Sequence, residues 1–412
     1  MKKISLKSND NRLAMDGAIN SGAASKGVSI LGFSLLIGAA LTLPGNAFAT
    51  SVSASETGGF TITSPDERFS FSFGNRAQLR YDYIDADDGD DVSNFRLRRL
   101  RPAVSGHVYT PDLTYIIVPD IANSFTMLVA AMNYRFTDQF QVRVGQAKTP
   151  YGYERYTSSG RLSFVDRSLT TTFDHAFPIG ITAHGNIPEA AGLTYEVGVF
   201  NQGERNQNNF DNRHRLVGRL DFEPFGSMHP RRLSYPDAPI DDMRFRVGVA
   251  GSISRTDLNL IDDRGSLSGF EETALLSLQA QPGFVRGDLR HVDIWAINPD
   301  FGVQIQQFSL HGELHYMEAD PNGTGDRKAE ILGWMAQAGL FLTPEWQVVA
   351  RYSEVDEDNF DAPGVDAQEW RVGLNWFYDG HGLKVQADIG QFEDKVTRDE
   401  DTEFRLQAQI TF

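Results

Sequence analysis

Residues 383–412 read LKVQADIGQFEDKVTRDEDTEFRLQAQITF. Leu383, Val385, Ala387 and Ile389 alternate with Lys384, Gln386 and Asp388, and after an acidic loop Phe404, Leu406, Ala408, Ile410 and Phe412 alternate with Glu403, Arg405, Gln407 and Gln409. A two-residue period with one apolar and one polar parity marks a strand whose faces meet different solvents. The pattern recurs upstream. Trp370, Val372, Leu374 and Trp376 oppose Arg371, Gly373 and Asn375, and Ala77, Leu79, Tyr81 and Tyr83 oppose Arg76, Gln78, Arg80 and Asp82.

The connections alternate in length. Short turns are expected at Thr110–Asp112, Thr137–Gln139, Pro188–Ala190, Thr343–Glu345 and Asp379–Gly382. Longer polar loops are expected at Asp85–Asn94, Gly203–Asn212, Asp257–Phe270, Asp320–Lys328, Asp356–Gln368 and Asp394–Thr402. A barrel with turns at one rim and loops at the other reads this way. A soluble sandwich also alternates, but its polar parity would carry solvent-facing Lys and Glu and its apolar parity would form a core. Here Tyr81, Tyr83, Trp346, Tyr352, Trp370 and Trp376 lie on the apolar parity near strand ends, as interfacial girdles do. The charged parity must be wet, because burying it would be costly. The fold expected is all-β: a transmembrane antiparallel β-barrel of about sixteen strands spanning 69–412. The pattern is weakest over Ser124–Met132, Phe225–Asp242 and Leu275–Asp300.

Bulk properties agree. Of 412 residues none is Cys, and the net charge of −17 excludes nucleic acid as the partner. Lys2, Lys3, Lys7 and Lys26 precede the apolar run Val28–Leu43 and the small-residue site Ala47-Phe48-Ala49, so 1–49 reads as a signal peptide. A retained membrane helix is the alternative, but the run falls short of the ~20 residues needed to span. Residues 50–68 read as a flexible leading segment.

Assigning the polar parity to the lumen yields a ladder of Arg76, Arg80, Arg99, Arg101, Arg143, Arg215, Arg219, Arg244, Arg246, Arg351, Arg371 and Arg405, with Lys384. Fewer acids share that parity: Asp82, Glu196, Asp221, Asp388 and Glu403. Rings of Arg favour anion passage. The bland alternative is a wall of scattered arginines paired with acids. Within Phe95-Arg96-Leu97-Arg98-Arg99-Leu100-Arg101 the parity slips, and a bulge would accommodate it. The acidic runs Asp85–Asp91, Asp356–Asp361 and Asp399–Asp401 read as solvated outer loops. No nucleophile–base–orienter set can be assembled, so no enzyme and no cofactor is expected. His311, Glu313 and His315 share a strand face but read as ordinary lumen residues rather than a metal site.

After the strand at Phe140–Val144 the alternation stops for some thirty residues carrying Lys148, Arg155, Arg161 and Arg167. FRLRRLRPAVSGHVY at Phe95–Tyr109 and VRVGQAKTPYGYERYTSSGRLSFVDRS at Val142–Ser168 resemble the phosphate-selective porins of the O and P type. The resemblance implies sixteen strands, a homotrimer in the Gram-negative outer membrane, and a third outer loop folded into the lumen as a constriction. It implies small inorganic anions, plausibly phosphate or polyphosphate, as solutes, with outer-membrane lipid and lipopolysaccharide as surroundings. Through the Gly-Tyr-x-x-x-x-Ser-Ser pattern, Arg155 falls at a basic constriction position and Arg167 at a matching wall or loop arginine. Lys148 and Arg161 join them as the expected anion constriction. Gly160 stands where phosphate-selective members carry a further Lys, a departure that bears on phosphate preference and leaves anion preference as the expectation. A non-selective diffusion porin, and a barrel adhesin or enzyme, are the alternatives.

Overall fold

The computed structural model describes residues 51–55, 59–87, 89–173, 175, 177–187, 190, 192–203, 205–206, 209, 212–226, 228, 234–256, 269–280, 291–322, 327–358 and 365–412. The strands in chain order are β1 (Ser51–Ser55), β2 (Gly59–Thr63), β3 (Ser70–Ala86), β4 (Val92–Val108), β5 (Thr110–Asp120), β6 (Thr126–Arg135), β7 (Gln141–Gln146), β8 (Ile179–Ile187), β9 (Leu193–Phe200), β10 (Arg215–Phe222), β11 (Met243–Thr256), β12 (His291–Ile305), β13 (Phe308–Asn322), β14 (Ala329–Phe341), β15 (Trp346–Glu357), β16 (Ala367–Asp379), β17 (Leu383–Asp394) and β18 (Glu400–Thr411). From β3 to β18 each strand pairs antiparallel with the next, and β18 pairs back onto β3 from Asp401↔Ala86 to Thr411↔Arg76. The result is a closed sixteen-stranded barrel. The start of β3 at Ser70 and the end of β18 at Thr411 lie at the rim of short turns.

Parity decides which solvent each side chain meets. In β18, Asp401, Glu403, Arg405, Gln407 and Gln409 are buried, while Leu406 and Ile410 between them are exposed. The outer face is apolar around the barrel: Ile181, Val199, Ile253, Val372 and Leu374 are all at least 40 % exposed. In water so continuous an apolar surface would aggregate; in lipid it is solvated. Trp346 stacks on Trp376 at 5.9 Å toward the turn rim, while Trp334 meets Tyr352 at 5.1 Å and Trp295 meets Tyr316 at 5.2 Å toward the loop rim. These are the two aromatic girdles. No helix among the described residues is long and apolar enough to cross a membrane, and the strands do the crossing.

Four local features depart from or refine the pattern. The leading segment at 50–68, expected to be flexible, carries the hairpin β1–β2, and β2 pairs with β3 over Phe60↔Phe73 to Thr63↔Ser70. It continues the edge of β3 where β18 stops, since Phe412 exchanges backbone hydrogen bonds with Asn75. The slip in the arginine run is a bulge: Gln78 faces Arg99 but Leu79 faces Leu97, so Arg98 is the extra residue. That places Arg96, Arg99 and Arg101 on one face. In the connection from β10 to β11 at the turn rim, described at 223–226, 228 and 234–242, Tyr235 is fully buried. Within Leu275–Asp300 the irregular pattern has a structural cause. Helix α2 (Gly269–Gln279, which follows the single-turn α1 at Tyr153–Tyr156) packs Phe270, Ala274 and Leu278 against inward-facing Val292, Ile294, Met317, Ala319, Ala329 and Ile331. This part of the wall is apolar on both faces because one meets lipid and the other a helix. The expected signal peptide at 1–49 lies outside the described residues.

Val372 sits between the girdle residues Trp370 and Trp376 on the outer face. Val372→Arg is expected to lower folding free energy by about 2–4 kcal/mol. Urea titration of folding into lipid vesicles measures it, and an unchanged midpoint would mean that this face does not meet the bilayer.

Candidate ion pathway

Residues 147–178 leave β7 and form one helical turn, α1 (Tyr153–Tyr156), then a 3-10 turn at Leu169–Phe173. Two cations brace α1. Lys148 Nζ donates to the carbonyls of Arg155, Tyr156 and Thr157 at 2.9, 3.3 and 2.6 Å, and Arg167 donates to those of Glu154 and Thr157 at 3.2 and 2.8 Å. Basic side chains satisfy the exposed carbonyls at a helix C-terminus in this way. Burial, with Arg167, Arg155, Arg101 and Arg76 nearby, pushes the Lys148 ammonium well below the ordinary lysine value.

The segment is held against the inner face by strands remote from β7. Lys384 donates to the carbonyl of Leu162 (2.8 Å), Gln386 to that of Ser163 (3.0 Å) and Gln409 to that of Gly160 (2.9 Å). Val165 N donates to Asp388 (2.9 Å), and Arg351 donates to the carbonyl of Asp166 (2.9 Å). The central anchor is Asp166, whose carboxylate takes a two-pronged grip from Arg80 at 2.5 and 3.0 Å. Burial raises this carboxyl, but Arg80, Arg405 and Arg98 outweigh that and hold it well below the ordinary aspartate value.

Every arginine of the expected ladder lies on the inner parity, yet most are neutralised. Arg371 meets Glu369, Asp388 and Glu403 at 2.9, 2.9 and 3.0 Å. Arg351 meets Glu369 and Glu154 at 2.9 and 3.3 Å. Arg219 meets Asp221 and Asp300, both at 2.7 Å, and Arg246 pairs with the same two acids. Arg215 pairs with Glu271 of α2, Arg405 with Glu403, and Arg143 with Glu196 at 3.0 Å. Asp300 and Glu369 share the inner parity, and the sequence reading missed both. Glu154, Asp166 and Glu271 come from inserted segments, where strand parity says nothing.

The more accessible of the inward cations lie along β3, β4, β7 and the inserted segment. Arg76, Arg101, Arg143, Lys148, Arg155, Arg161 and Arg167 are half-buried, whereas the paired arginines on the far wall are nearly all buried. Arg76 and Arg101 face each other in register. They reach successive serines, Arg76 to Ser158 Oγ at 2.7 Å and Arg101 to Ser159 Oγ at 2.9 Å, and Arg101 also pairs with Asp120 at 2.7 Å. Like charges directly opposite on a sheet repel. Arg155 lies over the Phe177 ring at 5.9 Å.

The histidine face has become core. His315 stacks on Phe173 at 5.0 Å and bonds Glu313 at 3.2 Å, while His311 packs against Tyr235 at 4.7 Å. Among the described residues no group of metal-binding side chains occurs. Asp85, Asp87, Asp90 and Asp91 are exposed at the loop rim, away from the inner surface.

The profile of the family described as phosphate-selective porin O and P matches residues 72–231 and 295–412. No curated protein sequence matches this chain. Among solved structures, the outer membrane channel DcaP of Acinetobacter baumannii aligns with TM-score 0.53 and 11% identity over 85% of this chain and 99% of its own. OmpF of Salmonella typhi in complex with daunomycin aligns at 0.51 and 12% over 84% and 99%. A loop L8 deletion mutant of OmpT, an outer membrane protein of Vibrio cholerae, aligns at 0.50 and 11% over 83% and 99%. At these identities the likeness is one of fold.

Asp166→Asn strips the buried Arg80 of its nearest carboxylate and is expected to cost about 3 kcal/mol. The urea midpoint should fall and single-channel current should flicker. In the wild type the anchor's contribution is complete above the ordinary Asp value and is lost as pH falls through the depressed folded-state value. Steady current in Asp166→Asn at neutral pH would mean that the segment is fixed without this anchor.

Proposed function

The chain belongs to the phosphate-selective porin O and P family and is a channel of the Gram-negative outer membrane, and from that premise we propose that its solutes are small inorganic anions, phosphate or polyphosphate among them. The observation that carries the reading is the split of inner charge. Along most of the wall the arginines are buried against acids; Arg76, Arg101, Lys148, Arg155, Arg161 and Arg167 gather on and beside the inserted segment and stay partly accessible. A surplus of fixed positive charge in a narrow wet passage concentrates anions and repels cations. Because the charge is distributed over several arginines, an ion is attracted without being trapped, as conduction requires.

In this reading residues 147–178 form the constriction, with Arg155 and Arg161 as the loop cations near the path. Lys148 and Arg167 contribute field mainly while holding α1 in shape, because their donors are directed to backbone carbonyls. The wall arginines from Arg215 to Arg405 serve as half of a structural charge network. The family resemblance also supports assembly as a homotrimer, which cross-linking of the detergent-solubilised protein tests.

A non-selective diffusion porin is the second reading, favoured by the acid partners of Arg219, Arg246, Arg351 and Arg371. Zero-current potentials across planar bilayers under a potassium chloride gradient separate the two. Anion preference is expected, and Arg155→Glu should move the permeability ratio toward cations by about tenfold. Asp87→Asn, on an exposed rim loop, should move it little. A cation-preferring wild type overturns the reading, and equal effects of the two substitutions place the constriction elsewhere.

A further inference from the structure

We infer that His175 is an acid-sensitive latch: neutral, it docks the end of the inserted segment on α2, and on taking up a proton it parts the two and unsettles the passage. This device rests on the reading above in one respect, that residues 147–178 border the passage, and does not depend on which ion crosses. The seam it holds is built from both sides. On the inserted segment, Phe173 is fully buried in the space over Gly333 of β14, and His315 of β13 stacks on its ring at 5.0 Å. From α2, Thr273 Oγ1 lies 2.5 Å from Thr172 Oγ1 and donates to the Thr172 carbonyl at 3.1 Å. His175 completes the seam, with its ring 4.3 Å from that of Phe270 on α2 and 5.2 Å from that of Tyr151. Glu271 ties α2 to the wall by pairing with Arg215 of β10, which also lies over Phe270 at 5.5 Å.

In this seam His175 is the odd member. It is 2% exposed, and neither Nδ1 nor Nε2 has a hydrogen-bond partner among the described residues. A buried polar group left unbonded is destabilising, and phenylalanine would fill the same slot without that cost. What histidine adds is a proton site in the physiological range. The surroundings set its response. Arg155 on its own segment and Arg215 on β10 both repel a further positive charge, while Glu271 of α2 is already engaged by Arg215. Beyond Tyr151, His315 is bonded to Glu313. Burial, with Arg215 and Arg155 nearby, holds the docked imidazole well below the ordinary histidine value, whereas a released ring titrates at that value. Docking is therefore fully favoured above the ordinary value. Below it the docking equilibrium constant falls about tenfold per pH unit, until the docked ring itself takes a proton.

Single-channel currents in planar bilayers from about pH 7.5 to about pH 5 test the latch, a window that stays above the ordinary aspartate value and so leaves the Asp166 anchor in place. Below the ordinary histidine value the ratio of flickering to steady time should rise about tenfold per pH unit in the wild type. His175→Phe keeps the ring and loses the proton site, so its current should stay steady across the window. The chain has no cysteine, so Thr172→Cys/Thr273→Cys sets a single thiol pair across the seam. Oxidised, that pair should abolish the acid flicker, and reduction should restore it. Heat-modifiable gel migration at each pH confirms that the barrel is folded. Steady wild-type current down to about pH 5, or flicker that persists in His175→Phe or in the oxidised pair, overturns the latch. If His175→Phe does not fold, His175→Gln, which also lacks the proton site, takes its place. The ion preference of the wild type and of Arg155→Glu is read separately at neutral pH, so failure of the latch leaves the anion reading standing.

Discussion

The pairing of β18 back onto β3 is the constraint from which the rest of the structure follows. In a bilayer an unpaired backbone N–H or C=O has no water to turn to, so a sheet can cross only if it has no edge. The register from Asp401↔Ala86 to Thr411↔Arg76 closes the ring. Closure commits one parity of each strand to lipid and the other to an enclosed space. It also explains the C-terminus: Phe412 finishes its hydrogen bonds on Asn75, and β2 takes over the edge of β3 beyond that point.

An enclosed space lined with arginine poses a second problem, and the chain solves it differently on its two sides. Around β10–β18 the guanidinium groups are buried and matched with carboxylates, many in shared networks such as Arg371 with Glu369, Asp388 and Glu403. Removing one partner from such a network would strand a buried charge, so these groups act together as scaffold. Toward the loop rim the same sector is mainly apolar inside, where α2 fills it with Phe270, Ala274 and Leu278 around the ion pair of Arg215 with Glu271. The water-accessible cations are left along β3, β4 and the inserted segment.

The strands and their inner parity were legible because period-two alternation survives wherever lipid lies on one side and polar groups on the other. Residues 383–412 and Arg76–Tyr83 show it without interruption. Reading failed where that condition fails. Val292, Ile294 and Ala296 are apolar on the inner parity because the helix in the connection just before their strand covers them, and strand periodicity carries no sign of how that helix folds back. The arginine run Phe95–Arg101 was legible as a slip, and the bulge at Arg98 is its physical form. The ladder was legible as positions but not as charge, since Glu154, Asp166 and Glu271 reach it from inserted segments. Lys148 and Arg167 show the same limit from the other side: their charge was visible, but not that backbone carbonyls occupy it.

By itself the sequence determined the barrel, its orientation of faces, its girdles and the abundance of inward arginine, because each is a consequence of residue type repeated at a fixed period. Only the tertiary structure decided which arginines are neutralised and which remain open to solute. That depends on carboxylates and carbonyls brought from up to several hundred residues away, as Asp166 is to Arg80 and Arg405. The glycine at 160 is the sharpest case. In the sequence it marks a missing cation; in the fold the space of its absent side chain holds the guanidinium of Arg76. Short-range pattern fixes the faces, and long-range contact fixes the charge that a passing ion meets.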